Sequence, residues 1–262
     1  MVPPGIGEDI TAVKVDYNDF LILKADPVTF ATEKAGFYAV TVNLNDLASA
    51  GGEPKWLLTS LFFPPDTVPY VIETMFKDIS EACASNGISL AGGHTELTPS
   101  VNQPIISGML VGVPDKKIYK KSDIREGDRI ILTKSVSIEG TAILASDYAR
   151  LLINQGISKQ EIQEGQELIT RISILKEARI SRNFSGLRAM HDVTEGGLAT
   201  ALREVSSASG NKLEIYEEKV PILPLTKKIC SGLNLNAMGL IGSGSLIIVV
   251  DGKQAEDLIN NL

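Results

Sequence analysis

The chain has 262 residues, 44% of them hydrophobic and 22% charged, which excludes a disordered or fibrous protein and leaves a globular one with room for a sizeable core. Its 25 Lys and Arg against 32 Asp and Glu give a net charge of −7, which argues against nonspecific nucleic-acid binding, since that needs basic surface. Two cysteines make no disulfide framework, no apolar run approaches the ~20 residues of a membrane span, and "MVPPGIGEDI" lacks the parts of a secretory signal, so a cytoplasmic protein is expected, with no nucleic-acid and no membrane partner.

In chain order, "FLILKAD" (20–26), "WLLTSLFF" (56–63) and "PIISGMLVGV" (104–113) read as buried strands. Between the first two, Phe37, Val40, Leu44, Leu47 and Ala48 recur at helical spacing, predicting a helix over 36–50 that Gly51-Gly52 ends. A second helix, over 66–86, places Val68, Val71, Ile72, Met75, Phe76, Ile79, Ala82 and Cys83 on one face, which makes Cys83 a core residue rather than a reactive thiol. The polar segment "VPDKKIYKKSDIREGD" (113–128) precedes a new apolar run, "RIILT". It predicts a boundary near 115–125, hence domains 1–118 and 119–262, with Lys116, Lys117, Lys120 and Lys121 in a solvated linker. The second half predicts helices over 138–153, 158–178 and 195–208, the last carrying Leu198, Ala201, Leu202, Val205 and Ala208 on one side, and strands near 212–216 and 245–250.

Acidic residues stand where these elements begin, end or turn, most with glycines or small residues nearby: Glu8-Asp9 in "GIGEDITAV", Asp26 in "LILKADP", Asp46 in "NLNDLASAGG" and Asp192 in "HDVTEGG". Asp46 differs in lying within a helix, on one face with Asn43 three residues earlier. A single aspartate of this kind is a helix or turn cap. As a set, converging carboxylates repel one another and need a hard cation, Mg²⁺ or Ca²⁺. Two histidines, two cysteines and no HExxH or CxxC argue against zinc. Mg²⁺ usually pairs carboxylates with phosphate oxygens, and Gly196-Gly197 ahead of a helix lets backbone amides approach phosphate, so a nucleotide is indicated. His94 in "GGHTE" and His191 in "HDVTEGG" both sit beside a glycine pair and a carboxylate. No GxxxxGK[ST] is present, "GLIGSG" (239–244) is a poor GxGxxG, and no GxSxG elbow exists.

Seven stretches in order, "GIGEDITAV", "KADPVTF", "VNLNDLASAGGEP", "AGGHTE", "REGDRIILTKSVSIEG", "HDVTEGGLATALREV" and "GSGSLIIVV", make the chain resemble the aminoimidazole ribonucleotide (AIR) synthetase, or PurM-like, superfamily. That group holds the hydrogenase maturation carbamoyl dehydratase (HypE-like proteins), selenophosphate synthetase, thiamine-monophosphate kinase and formylglycinamide ribonucleotide amidotransferase. The resemblance implies an α+β, two-domain PurM-like fold. Its N-terminal mixed sheet pairs with a second copy into a dimeric β-barrel, and its C-terminal half forms an α+β layer. It implies ATP and Mg²⁺ as cofactors and phosphoryl transfer to a small-molecule or protein-tail acceptor, in chemistry of a hydrogenase-maturation or purine-biosynthesis kind. By motif position, Asp9, Asp46 and Asp192 look like Mg²⁺ ligands, and Asp192 and His94 are candidate catalytic residues. Asp26, Asn45, Gly92, Gly93, Glu96, Gly196 and Gly197 are candidate nucleotide-binding residues, with Gly92, Gly93 and Glu96 in a Gly-Gly-x-Thr loop.

The departures narrow the expectation to an AIR synthase-related branch near the hydrogenase maturation protein. Thiamine-monophosphate kinases carry Asp where His94 stands, AIR synthetase has Gly-Gly-Glu-Thr in place of Gly-Gly-His-Thr-Glu, and no Cys follows Cys230 as the acceptor of a carbamoyl group. Members usually have a helix before the first motif and strands after the last helix, so the chain reads as short at both ends. A non-catalytic nucleotide-binding or structural member, and an unrelated α/β metal enzyme, are the alternatives.

Overall fold

The computed structural model describes residues 7, 9–16, 19–29 and 34–262, and Glu8 lies outside them. The chain divides into two compact units, Asp9–Ile118 and Tyr119–Leu262, with Gly7 grouped with the second.

The first unit contains β1 (Thr11–Lys14), β2 (Phe20–Val28), α1 (Ala35–Ser49), β3 (Gly52–Phe63), α2 (Pro69–Ser85), β4 (Ser89–Leu97) and β5 (Ile105–Pro114). Its five strands form one mixed sheet in the order β1-β2-β5-β3-β4, antiparallel except where α2 returns the chain to place β4 parallel to β3. The predicted helix over 36–50 is α1, and of its 15 residues only Phe37 and Val42 are not buried. It is a core helix buried all round. Three glycines make room for it. A Cβ on Gly108 would stand 2.9 Å from the Asn43 amide nitrogen, and one on Gly52 or Gly112 would run into the Leu47 side chain. On α2 the apolar face is buried only from Met75 onward; Val68 is the N-cap and 57% exposed, and Val71 is also exposed. Cys83 is in the core, and burial pushes its thiol up to about 11.

Strand alternation sets two faces on this sheet. Leu57, Leu61, Phe63, Ile106, Leu110, Ile22 and Val28 are buried on the face that carries the helices. On the other face Trp56, Leu58 and Met109 remain about 40% exposed.

The second unit contains β6 (Arg129–Leu132), α3 (Ile138–Asp147), α4 (Ala149–Asn154), α5 (Lys159–Glu167), α6 (Leu175–Ser181), β7 (Leu187–Asp192), α7 (Gly197–Ser209), α8 (Pro224–Leu233), β8 (Leu246–Val250) and α9 (Ala255–Asn261). Its sheet is antiparallel, with β8 between β6 and β7 and wholly buried. Leu198, Ala201 and Val205 of α7 pack with Ala189, Ile247 and Val249 in one core cluster. Three expectations fail here. The helix over 138–153 breaks at Tyr148, and the helix over 158–178 is interrupted by a 3-10 turn at Leu168–Arg171. No strand forms at 212–216. In the linker Lys116, Lys117 and Lys120 are exposed, but Lys121 is buried at the start of a 3-10 turn. Among the described residues no helix is long and apolar enough to cross a membrane.

Candidate functional site

The first unit's candidates are organised by α1. Asn43 locks the helix to β2: its Oδ1 accepts from the Asp26 amide at 3.0 Å, and its Nδ2 donates to the Asp26 carbonyl at 3.4 Å and to the Ala39 carbonyl at 2.8 Å. One turn further, α1 delivers Asp46, which is 4% exposed. The Lys24 ammonium lies 3.0 Å from an oxygen of Asp26 and 3.0 Å from an oxygen of Asp46. Burial alone would lower its pKa, but the Asp46 and Asp26 carboxylates outweigh that and hold it above the ordinary lysine value. Asp26 and Asp46, singled out separately from sequence, therefore meet around one cation that sequence reasoning missed. The signal was available: Lys24 takes an inward position between Ile22 and Val28, where the alternation calls for an apolar side chain. Asn45 is buried on the same helix, and Asp9 is half-buried two residues ahead of β1.

Gly92, Gly93, His94 and Glu96 lie within strand β4 rather than in a loop. The sheet order puts β5 and β3 between β4 and β2, a separation of roughly 14 Å at ordinary strand spacing. His94 pairs with Ser60 and Glu96 with Phe62, in the register facing away from the buried Leu61 and Phe63. Within this unit, then, His94 and Glu96 do not join Asp26 and Asp46. They pair with each other at 3.5 Å, with both side chains largely exposed, a contact worth little in water. The glycines have different reasons. Gly93 approaches β3 so closely that a Cβ would collide with the Thr59 carbonyl, whereas beside Gly92 there is open space, and only its φ of 150° calls for glycine. A pocket of about 320 Å³ opens here, lined by Thr59, Phe76, Leu90 and the glycine pair.

In the second unit, β7 ends on His191 and Asp192, each 2% exposed. Although they are strand neighbours, a ring nitrogen of His191 and a carboxylate oxygen of Asp192 lie within 4.8 Å of each other at the strand end. The His191 Nε2 lies 3.1 Å from a Glu204 carboxylate oxygen on α7, which fixes the ring. Gly196 (φ 74°) and Gly197 (φ 62°) make the turn into α7, and a Cβ on Gly197 would meet the Met238 carbonyl at 2.5 Å. The Gly197 and Ala199 amides are donated to the carbonyls of Thr194 and Met238, so the helix start has fewer amides to offer a phosphate than the glycine pair suggests. A second missed residue is Glu139 in the first turn of α3, 1% exposed, whose Oε2 accepts from the Ser243 amide at 3.1 Å. Burial raises its pKa and Glu195 adds to that, against the Ser243 hydrogen bonds. A cleft of about 890 Å³ runs between the sheet and residues 211–221, past Leu198, Leu202 and Val249, and contains none of the predicted site residues.

A putative hydrogenase expression/formation protein of Methanocaldococcus jannaschii is 30% identical over 235 residues, covering 88% of this chain and 66% of that protein. The carbamoyl dehydratase HypE of Escherichia coli is 23% identical over 237 residues, covering 89% of this chain and 67% of that one. The chain thus spans about two thirds of the length of these relatives. Among solved structures, the hydrogenase maturation protein HypE in complex with ATP superposes with a TM-score of 0.73 at 20% identity, over 98% of this chain and 76% of that one. This confirms the mixed α+β, two-domain PurM-like fold. Residues 7–114 match the N-terminal domain of AIR synthase related proteins and residues 125–262 match the C-terminal domain. The chain therefore belongs to the AIR synthase related protein family, in the PurM-like superfamily near HypE.

Proposed function

We propose that this protein is an ATP- and Mg²⁺-dependent enzyme that transfers a phosphoryl group to an acceptor oxygen. The observation that carries the reading is the meeting of Asp26 and Asp46 around a single cation on α1 and β2, in a chain that shares its fold with a protein solved in complex with ATP. The chemistry fits Mg²⁺: hard carboxylate oxygens, two of them, on Asp26 and Asp46, already 3.0 Å from a positive charge. Asp9, Asp46 and Asp192 are the proposed ligands, and when bound the ion would neutralise charge on the transferring phosphates. Asp26 and Asn45 are proposed to face the nucleotide. Gly92 supports close backbone approach, since nothing stands within 4 Å of where its Cβ would be. The chain's own contribution is to hold oxygen donors in place, as Asn43 and α1 do for Asp26 and Asp46. A second copy is proposed to cover the exposed apolar face of the first unit's sheet, giving a homodimer.

Calorimetric titration of ATP into the protein, with and without Mg²⁺, tests the assignment. Mg²⁺-dependent binding is expected, with a loss of at least ~100-fold in affinity in Asp46→Asn and in Asp192→Asn while both retain the native circular dichroism spectrum. Binding unchanged in both variants would remove these residues from the site. Binding without turnover of any acceptor would make the chain a non-catalytic nucleotide-binding member.

A further inference from the structure

We propose that the Lys24 ammonium is a built-in cation that fills, in the nucleotide-free protein, the place between Asp26 and Asp46 that a divalent ion would otherwise take. The first unit would then load metal only together with phosphate. This rests on the ATP·Mg²⁺ reading above.

Two carboxylate oxygens from different elements, β2 and α1, converge on one point, and the point is occupied by Nζ, 3.0 Å from each. Both carboxylates are carried on fixed backbone. The Asp26 backbone is clamped on both sides by Asn43, and Asp46 rides a buried helix. The Lys24 side chain is only 13% exposed, although a lysine in that inward register carries a desolvation cost that an apolar residue would avoid. What the lysine supplies in return is charge. The ammonium offsets part of the charge of these two carboxylates, which weakens their pull on Mg²⁺, an ion that dehydrates reluctantly. A divalent ion entering beside Lys24 would be repelled by the ammonium, and phosphate oxygens would offset that repulsion. Removing the ammonium lifts that repulsion. The flexible four-carbon stem lets the ammonium move toward the phosphates while the carboxylates stay in place.

Lys24→Met and Lys24→Gln, in the full chain without nucleotide, test this with Mn²⁺ followed by electron paramagnetic resonance and Mg²⁺ followed by thermal melting. Each variant is expected to bind Mn²⁺ at least roughly tenfold tighter than wild type, to melt higher in millimolar Mg²⁺ than without it, and to lose both gains when Asp46→Asn is added. Unchanged Mn²⁺ affinity, or a gain that survives Asp46→Asn, would overturn the proposal. So would variants as unfolded in Mg²⁺ as in its absence, because the ion should replace the missing charge. ATP·Mg²⁺ binding by wild type with no gain in the variants would leave the functional reading standing and sink this one alone. The gain without ATP binding would do the reverse.

Discussion

Glu139 is the residue at which burial outweighs every favourable contact. One oxygen is held by the Ser243 amide, and the other has no hydrogen-bond partner among the described residues. A carboxyl whose pKa is raised on folding binds its proton more tightly in the native state than in the unfolded chain. Its contribution to stability is therefore present at low pH and is lost as pH rises from the ordinary glutamate value of 4.5 through the raised one. Thermal melts of wild type and Glu139→Gln between about pH 4 and pH 8 should diverge, with the variant gaining relative stability as pH rises. A constant difference would mean that folding leaves the pKa of this carboxyl unchanged. How much was legible at this scale depends on what each residue needs around it. Asp46 and Asn43 were readable because a helix repeats its face within the sequence itself. Lys24 was legible only as a charge in an inward strand position beside Asp26; its pairing with Asp46, like that of Glu139 with Ser243, joins residues distant in the chain, of which local spacing carries no record.

At the scale of elements, β2, β3, β5, α1 and α7 follow from apolar runs and helical spacing, because each buries a full face. The interruption within 158–178 falls at Leu168–Arg171, which contains Ile169 and Thr170 and is followed by Ile172. These β-branched residues lower helix propensity, and Ile172 and Ile174 are instead fully buried. The segment 212–216 alternates like a strand and pairs with none of the described strands, since alternation does not reveal whether a partner edge is within reach. The glycine pair of β4 was readable as special but not as a strand. Its two members should behave differently on substitution. Gly92→Ala meets open space and carries only backbone strain, about 1–3 kcal/mol. Gly93→Ala adds a collision with the Thr59 carbonyl and should cost at least ~2 kcal/mol more. Urea midpoints measure both. Equal losses would mean that close strand approach is not why Gly93 is a glycine.

At the scale of the whole molecule, the exposed face of the first unit's sheet is the feature still to be accounted for. Trp56, Leu58 and Met109 are neighbours on paired strands, and a contiguous apolar patch of this kind marks an interface. Sedimentation at micromolar protein should find a dimer, and Trp56→Glu with Leu58→Glu should shift it toward monomer by at least ~10-fold in dissociation constant. A monomeric wild type would remove the second copy from the proposal. The burial of α1 has one more consequence. Proteins open piecemeal, and segments with few buried contacts open long before the core. Asp46 is carried by a helix buried almost all round, whereas every residue of β4 is exposed. The carboxylate and the glycine strand therefore belong to different layers of local stability. The strand can breathe and exchange its amides while the oxygen that would meet the metal keeps its place until the first unit as a whole comes apart.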